Sequence, residues 1–302
     1  MKRIACAVAT MTTIVVAIGC SAKYVRTAAP GDSLDEWLDA PRRIMWVAAH
    51  PDDEGFAGPI LAKAGRKSGG AVHFVVLTDA AGGECCIPGG CVPDLATVRA
   101  TEIAASARLY GATLKHAPYW NAPLPGSSFP PRHEIAKRWM SQGDPTLLIA
   151  KEIREFRPDA ILTLSPGRGG TGHPEHQLSA RFALAAARLA ATDTKELPGA
   201  PHRVERVYWV LSKLWLAEAL GSADPEEPTE IFDIHQPCFQ GRSCVDVAAQ
   251  ITRVHQSQAN DMKGMRLLFK QLDELPLRRV NPEAELLDPM EPVGKGGMNT
   301  NP

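Results

Sequence analysis

Between residues 43 and 211, short apolar runs alternate with stretches of helical periodicity. Ile44–Ala49 is continuously apolar and predicts a strand, and Gly58–Lys67 predicts a helix stopped by Gly69 and Gly70. Val72–Leu77, rich in β-branched residues, predicts a second strand. Leu95–Tyr110 predicts a long helix, with Gly111 placed to end it. A weaker strand at Leu114–Trp120, a helix at Pro145–Phe156 and a strand at Ala160–Leu164 follow. An Ala-rich helix at Glu175–Ala191 and a fifth strand at Val204–Leu211 complete the alternation. Strands separated by helices imply βαβ crossovers and a mostly parallel sheet covered on both faces. The expected fold is therefore α/β, a Rossmann-like three-layer sandwich. Residues 245–274 predict one or two further helices. From Pro276 the pattern loses its period, so residues 276–302 are expected to form an extended tail that adds little to the core, leaving 42–275 as the folded domain.

Composition changes this picture mainly at the N-terminus. Lys2 and Arg3 precede an apolar run from Ile4 to Ile18, which reads as an export signal over residues 1–19. The stretch "VAIGC" resembles a lipobox, which would place a lipid on Cys20, ahead of a polar lead-in over 20–41. An ordinary cleaved signal or an uncleaved anchor competes with that reading. The expected location is the cell envelope, with membrane contact only through the lipid. The 33 Lys and Arg against 34 Asp and Glu give a net charge of -1, which argues against a nucleic-acid partner. Of the seven cysteines, Cys85, Cys86, Cys91, Cys238 and Cys244 fall in the expected domain. Outside the cytoplasm these can oxidise, so Cys91 is expected to bridge to Cys85 or Cys86, and Cys238 to Cys244. A four-cysteine zinc site competes, but the paired C-x-x-C knuckles are missing.

The chemistry collects where strands end. His50–Glu54 follow the first strand, Thr78 and Asp79 the second, Asn121 the third and "SPGRGGTGHPEHQ" (165–177) the fourth. Ligands of open parallel sheets bind beyond the carboxyl ends of the strands, so these distant segments converge on one rim. His50 and Asp53 stand three apart at a strand-to-helix turn and can meet one ion. Asp52, between them, can instead reach a water on that ion. His173 and His176 repeat the spacing, and His176 supplies a third ligand, leaving a position open for water as in catalytic zinc sites. Glu54 reads as a helix-start residue or one that orients a neighbour. No H-E-x-x-H is present, and "SPGRGGTG" lacks the Lys-Ser/Thr of a phosphate-binding loop.

"AAHPDDEGFAG" resembles the signature of the PIG-L/LmbE-like N-acetylglucosaminyl deacetylase family. "LTDAAGGE", "VRATEIAASARLYGA", "TGHPEHQLSA" and "VHQSQ" resemble its later blocks in order, over roughly residues 43–260. The resemblance implies a Rossmann-like fold, one Zn2+ or another divalent metal, and removal of an N-acetyl group from an amino sugar. It implies metal ligation by His50, Asp53 and His176, with Asp52 as general base. It further implies that His173 assists the oxyanion or the leaving amine, and that Arg99, Asn121 and His255 contact substrate. Asn121 stands where many members carry an acid, and a Cys-rich insert at 85–91 lies beside the expected mouth, so the sugar stays open. Export favours an envelope glycan, a glycolipid or an amidated small molecule from outside as substrate. A non-catalytic metal- or sugar-binding lipoprotein and a non-haem Fe(II) oxygenase are the rival readings.

Overall fold

The computed structural model describes residues 32–126, 129–213 and 223–291. Cys20 and the export segment lie outside the described residues. Strand β1 (Arg43–Ala48) runs parallel between β2 (Ala71–Thr78) and β4 (Ala160–Leu164). Outward from these lie β3 (Ala112–Tyr119) beside β2 and β5 (Arg206–Val210) beside β4, both parallel. Every residue of β1 after Arg43 is buried: Ile44, Trp46 and Ala48 enter one core, Met45 and Val47 the other. This period of two with both faces apolar is what a sheet covered on both sides requires.

Helices α2 (Glu54–Arg66) and α3 (Leu95–Tyr110) cover the first face. Helices α4 (Arg132–Gln142), α5 (Pro145–Phe156) and α6 (Pro174–Ala191) cover the second. A short α1 (Leu34–Trp37) closes the lower edge of the first core. Helix ends follow local chemistry. Asp94 accepts from Thr97 N–H to start α3, and Gly111, left-handed at φ 71°, ends it. Helix α2 passes so close to its neighbours that a Cβ on Gly58 would sit 2.8 Å from the Tyr110 hydroxyl.

The chain beyond β5 departs from the sequence reading. Strands β6 (Glu230–Asp233) and β9 (Glu274–Val280) extend the sheet, giving the order β3-β2-β1-β4-β5-β9-β6. Strand β9 lies antiparallel between β5 and β6. The tail expected from Pro276 is thus corrected: its first residues are an interior strand, with Leu277 fully buried. Residues after β9 then cross α6, where Arg188 donates to the carbonyls of Pro282 and Glu285, and Leu287 and Met290 pack on the second core. A ribbon of β7 (Pro237–Phe239) and β8 (Arg242–Ser243) leads into α7 (Cys244–Ile251), two 3₁₀ turns over 252–258, and α8 (Ala259–Phe269). Disulfides join Cys85 to Cys91 and Cys238 to Cys244, and Cys86 is free. Among the described residues no helix is long and apolar enough to cross a membrane.

Candidate active site

From β1 the chain steps outward through β2 to β3 on one side and through β4 to β5 on the other. The crevice beyond β1 and β4 is therefore the switch point of the sheet, where open α/β folds bind ligands. His50–Asp53 arrive there from β1, and the 165–173 loop and first turn of α6 arrive from β4.

Two histidines meet in this crevice with their protons already assigned. His50 Nε2 donates to the Glu175 carboxylate at 2.6 Å, and His176 Nδ1 donates to the Gly169 carbonyl at 2.9 Å. The remaining nitrogens, His50 Nδ1 and His176 Nε2, then face each other 3.0 Å apart. Asp53 stands against both, with Oδ1 3.1 Å from His176 Nε2 and Oδ2 3.5 Å from His50 Nδ1. Two imidazole nitrogens so close, beside a carboxylate, favour a positive charge among them, carried by a proton on His50 or by a metal ion. Ligand atoms about 2.0–2.1 Å from a tetrahedral zinc stand about 3.3 Å from one another, so the three residues fit such an ion. The electrostatics favour positive charge at this point. Burial alone would lower His50, yet Asp53 and Glu175 push it up to about 10. Burial would raise Asp53, yet His176 and His50 hold it well below the usual carboxylate range.

His50, His173 and His176 also form a cluster whose ligand atoms lie within 4.8 Å of one another. His173 is otherwise committed. Its Nδ1 accepts the Glu175 N–H at 3.2 Å and so caps α6, which leaves the proton of a neutral ring on Nε2. Burial, followed by the neighbouring His50 and His176, holds this imidazole well below its ordinary value. The Phe129 ring covers it at 4.3 Å between centroids.

Asp52 sits beside the ligand group in a backbone conformation rare for a side-chain-bearing residue, φ 117°. Arg99 Nη2 donates to its Oδ2 at 3.1 Å and to the Pro51 carbonyl at 2.7 Å. Burial pushes Asp52 up to about 6 against the opposing pull of Arg99. Glu54, also buried, accepts from Asp52 N–H at 3.0 Å.

Three of the residues expected to contact substrate are placed differently from one another. Arg99 reaches the site through Asp52. Asn121 is buried, with Nδ2 donating to Glu175 at 2.7 Å and Oδ1 accepting from Gly82 N–H at 2.9 Å, so its amide holds protein rather than sugar. His255 is only 1% exposed and donates from Nε2 to Glu54, which puts it behind the site. In both cases a polar residue near a strand end or a family block reads as surface-facing until long-range partners are seen.

Glu175 was missed. It is fully buried and accepts from His50, Asn121 and the Ala122 N–H at 2.8 Å. Its sequence signal was its place in His173-Pro-Glu-His176, since a carboxylate next to a metal-ligand histidine can orient one. Gly169 was missed as well: at φ 68°, any Cβ there would lie 2.5 Å from that of His176. The Cys85–Cys91 loop lies against the same rim. It is tied down through Cys86 N–H to the Ser257 carbonyl at 2.9 Å.

Comparison with known proteins follows the same outline. The family model described as "PIG-L: GlcNAc-PI de-N-acetylase" matches residues 45–187. A 1D-myo-inositol 2-acetamido-2-deoxy-alpha-D-glucopyranoside deacetylase of Kineococcus radiotolerans is 31% identical over 224 residues, covering 64% of this chain and 61% of that protein. A protein of the same name from Streptomyces avermitilis is 32% identical over 183 residues, covering 56% and 60%. The chain thus spans about three fifths of the length of these relatives. Two solved structures share the fold. GalB, the 4-carboxy-2-hydroxymuconate hydratase of Pseudomonas putida, has a TM-score of 0.59 at 16% identity, covering 80% of this chain and 97% of that one. The N,N'-diacetylchitobiose deacetylase of Pyrococcus horikoshii has a TM-score of 0.55 at 16% identity, covering 83% and 88%. The residues from His50 to His176 that meet in the crevice all lie within the span that matches the PIG-L family model.

Proposed function

We propose that this chain is a zinc-dependent hydrolase that removes an N-acetyl or similar N-acyl group from an amino sugar or glycoconjugate. The observation that carries the reading is the meeting of His50 Nδ1, His176 Nε2 and Asp53 at 3.0–3.5 Å with a separately held carboxylate, Asp52, alongside. Relatives named as deacetylases of an acetamido sugar support it.

His50, Asp53 and His176 hold the metal. When bound, zinc supplies a Lewis acid for the acyl carbonyl and makes hydroxide accessible near neutral pH. Asp52, a carboxylate that is not among the metal ligands, takes the proton of the attacking water. Arg99 keeps that carboxylate aimed and anchors the Pro51 carbonyl behind it. His173, neutral and donating from Nε2, hydrogen-bonds the oxyanion as the carbonyl becomes tetrahedral. Water adds to the acyl carbon, the C–N bond breaks, and the amine departs with the proton that Asp52 accepted. A protein that merely stored metal or bound sugar needs neither Asp52 nor the donor on His173.

The lipid anchor on Cys20 and a location in the cell envelope belong to the same proposal. Asp32, the first described residue, is held by Arg206 and Arg279 at the lower ends of β5 and β9.

The test is a panel of N-acylated amino sugars assayed for released amine, with metal content measured in parallel. Release should stop with chelator and return with zinc under anaerobic conditions. A fully metal-loaded protein that releases amine from no member of the panel overturns the hydrolase reading, and a need for oxygen would favour the oxygenase.

A further inference from the structure

The "VHQSQ" block is tied to the site through a chain of buried contacts. Glu54 accepts the Asp52 N–H through Oε2, while its Oε1 accepts from Ser106 Oγ and His255 Nε2. Glu54 and His255 are 2% and 1% exposed, and both Glu54 oxygens are taken up by protein donors. Two residues on, Ser257 donates its N–H and its hydroxyl to the two oxygens of Glu102, at 2.8 and 2.6 Å. Glu102 lies three residues after Arg99 on α3, on the same helix face. Gln258 Nε2 then donates to the Glu84 carbonyl at 2.7 Å, one residue ahead of the disulfide-closed loop. One short turn, 255–258, is thereby fastened to the start of α2, to α3 and to the rim loop.

These three segments supply Asp52, its arginine and the wall of the crevice. Asp52 needs outside support, because a residue with a Cβ does not hold φ 117° unaided. Burying two carboxylates and a histidine is also a costly way to pack a core that apolar side chains could fill. Such a network is kept where it fixes a geometry.

We infer that Glu54, His255 and Ser257 are positioning residues that hold the Asp52 backbone and the Arg99 helix in register beside the metal ligands. The inference rests on the hydrolase reading for its kinetic arm and on the structure alone for its other arm. All three residues act through Asp52 and Arg99 and contribute no ligand atom.

The test uses the full-length, metal-loaded protein with Glu54→Leu and Glu54→Gln, each in the wild-type and Asp52→Asn backgrounds. Leu removes the acceptor for the Asp52 N–H, while Gln keeps one oxygen that can serve it. Glu54→Leu should lower kcat about a hundredfold with KM and zinc stoichiometry nearly unchanged, as expected for an interaction that matters only in the transition state. Glu54→Gln should recover to within about tenfold of wild type, and Glu54→Leu should cost about twofold or less once Asp52 is Asn. Equal losses in both backgrounds, or zinc lost in step with kcat, would assign a general structural role and overturn the inference. Where Glu54→Leu fails to fold, Ser257→Ala takes its place with a smaller loss, about fivefold, and the same non-additivity.

Amide hydrogen exchange supplies a readout independent of turnover. The Asp52 amide should be protected in wild type and in Glu54→Gln, and exchange at least about tenfold faster in Glu54→Leu, with the His50 amide unchanged. Unchanged protection at Asp52, or loss at His50 as well, overturns the inference even if no substrate is ever found. A wild-type protein without amidohydrolase activity, but with this exchange pattern, would overturn the hydrolase reading alone.

Discussion

Glu175 decides how His50 presents itself. All three of its partners, His50 Nε2, Asn121 Nδ2 and the Ala122 N–H, are donors, and together they occupy both carboxylate oxygens. An amide at this position must turn its NH2 toward one of these donors. Glu175→Gln should therefore weaken zinc binding about 10–100-fold, the usual cost of losing a carboxylate that orients a ligand histidine. Competition against a chromophoric chelator reads the change directly, and an unaltered affinity would show that His50 is oriented by something else. Asp52 is a different case, since it holds no ligand atom in the 3.0–3.5 Å group. Asp52→Asn should keep full zinc content while turnover drops about a hundred- to ten-thousand-fold, the range for losing a general base. Metal analysis beside a turnover assay separates the two residues. Near-normal turnover in Asp52→Asn would remove it from the base role.

At the scale of elements, legibility followed locality. Helices α3 and α5 and strand β4 fall at the residues that their caps and periods indicate, because Asp94, Gly111 and Pro145 act on their nearest neighbours. His50 and Asp53, and likewise His173 and His176, were readable because each pair lies within one turn. Asn121 and His255 were not, since their partners lie 54 and 201 residues away in sequence. Helix α4 was hidden by its polar surface, with only Ile135, Ala136 and Trp139 marking the buried side. The Cys238–Cys244 bridge was again local, closing a loop of six-residue separation around the β7–β8 ribbon. Replacing both cysteines by Ser should cost about 2 kcal/mol, the chain-entropy value for so small a loop. Urea unfolding of the two forms under non-reducing conditions measures this. Identical midpoints would mean that the ribbon is held by α7 packing alone.

At the scale of the whole molecule, the C-terminal segment closes the sheet, and this was the largest departure from the sequence reading. The stretch from Pro276 read as aperiodic because Pro276, Arg278 and Arg279 interrupt the apolar positions. Each of these has a place in the fold. The Pro276 carbonyl accepts from Leu211 N–H at 3.0 Å, the Arg278 guanidinium lies over the Trp209 ring, and Arg279 pairs with Asp32 at 2.9 Å. Strand β9 also lies between β5 and β6 in the sheet, so removing it strands β6 and uncovers the first core. The expectation is specific to the side chain as well as the segment. Leu277→Ala, fully buried between two strands, should destabilise the protein by about 2–5 kcal/mol, as large-to-small changes in a packed core do. Leu286→Ala, 76% exposed a few residues later, should change stability by about 0.5 kcal/mol or less. Thermal or urea melts of the two variants side by side make the comparison. If Leu277→Ala were as mild as Leu286→Ala, the segment would be the dispensable tail its sequence suggests, and the sheet would have to end at β5.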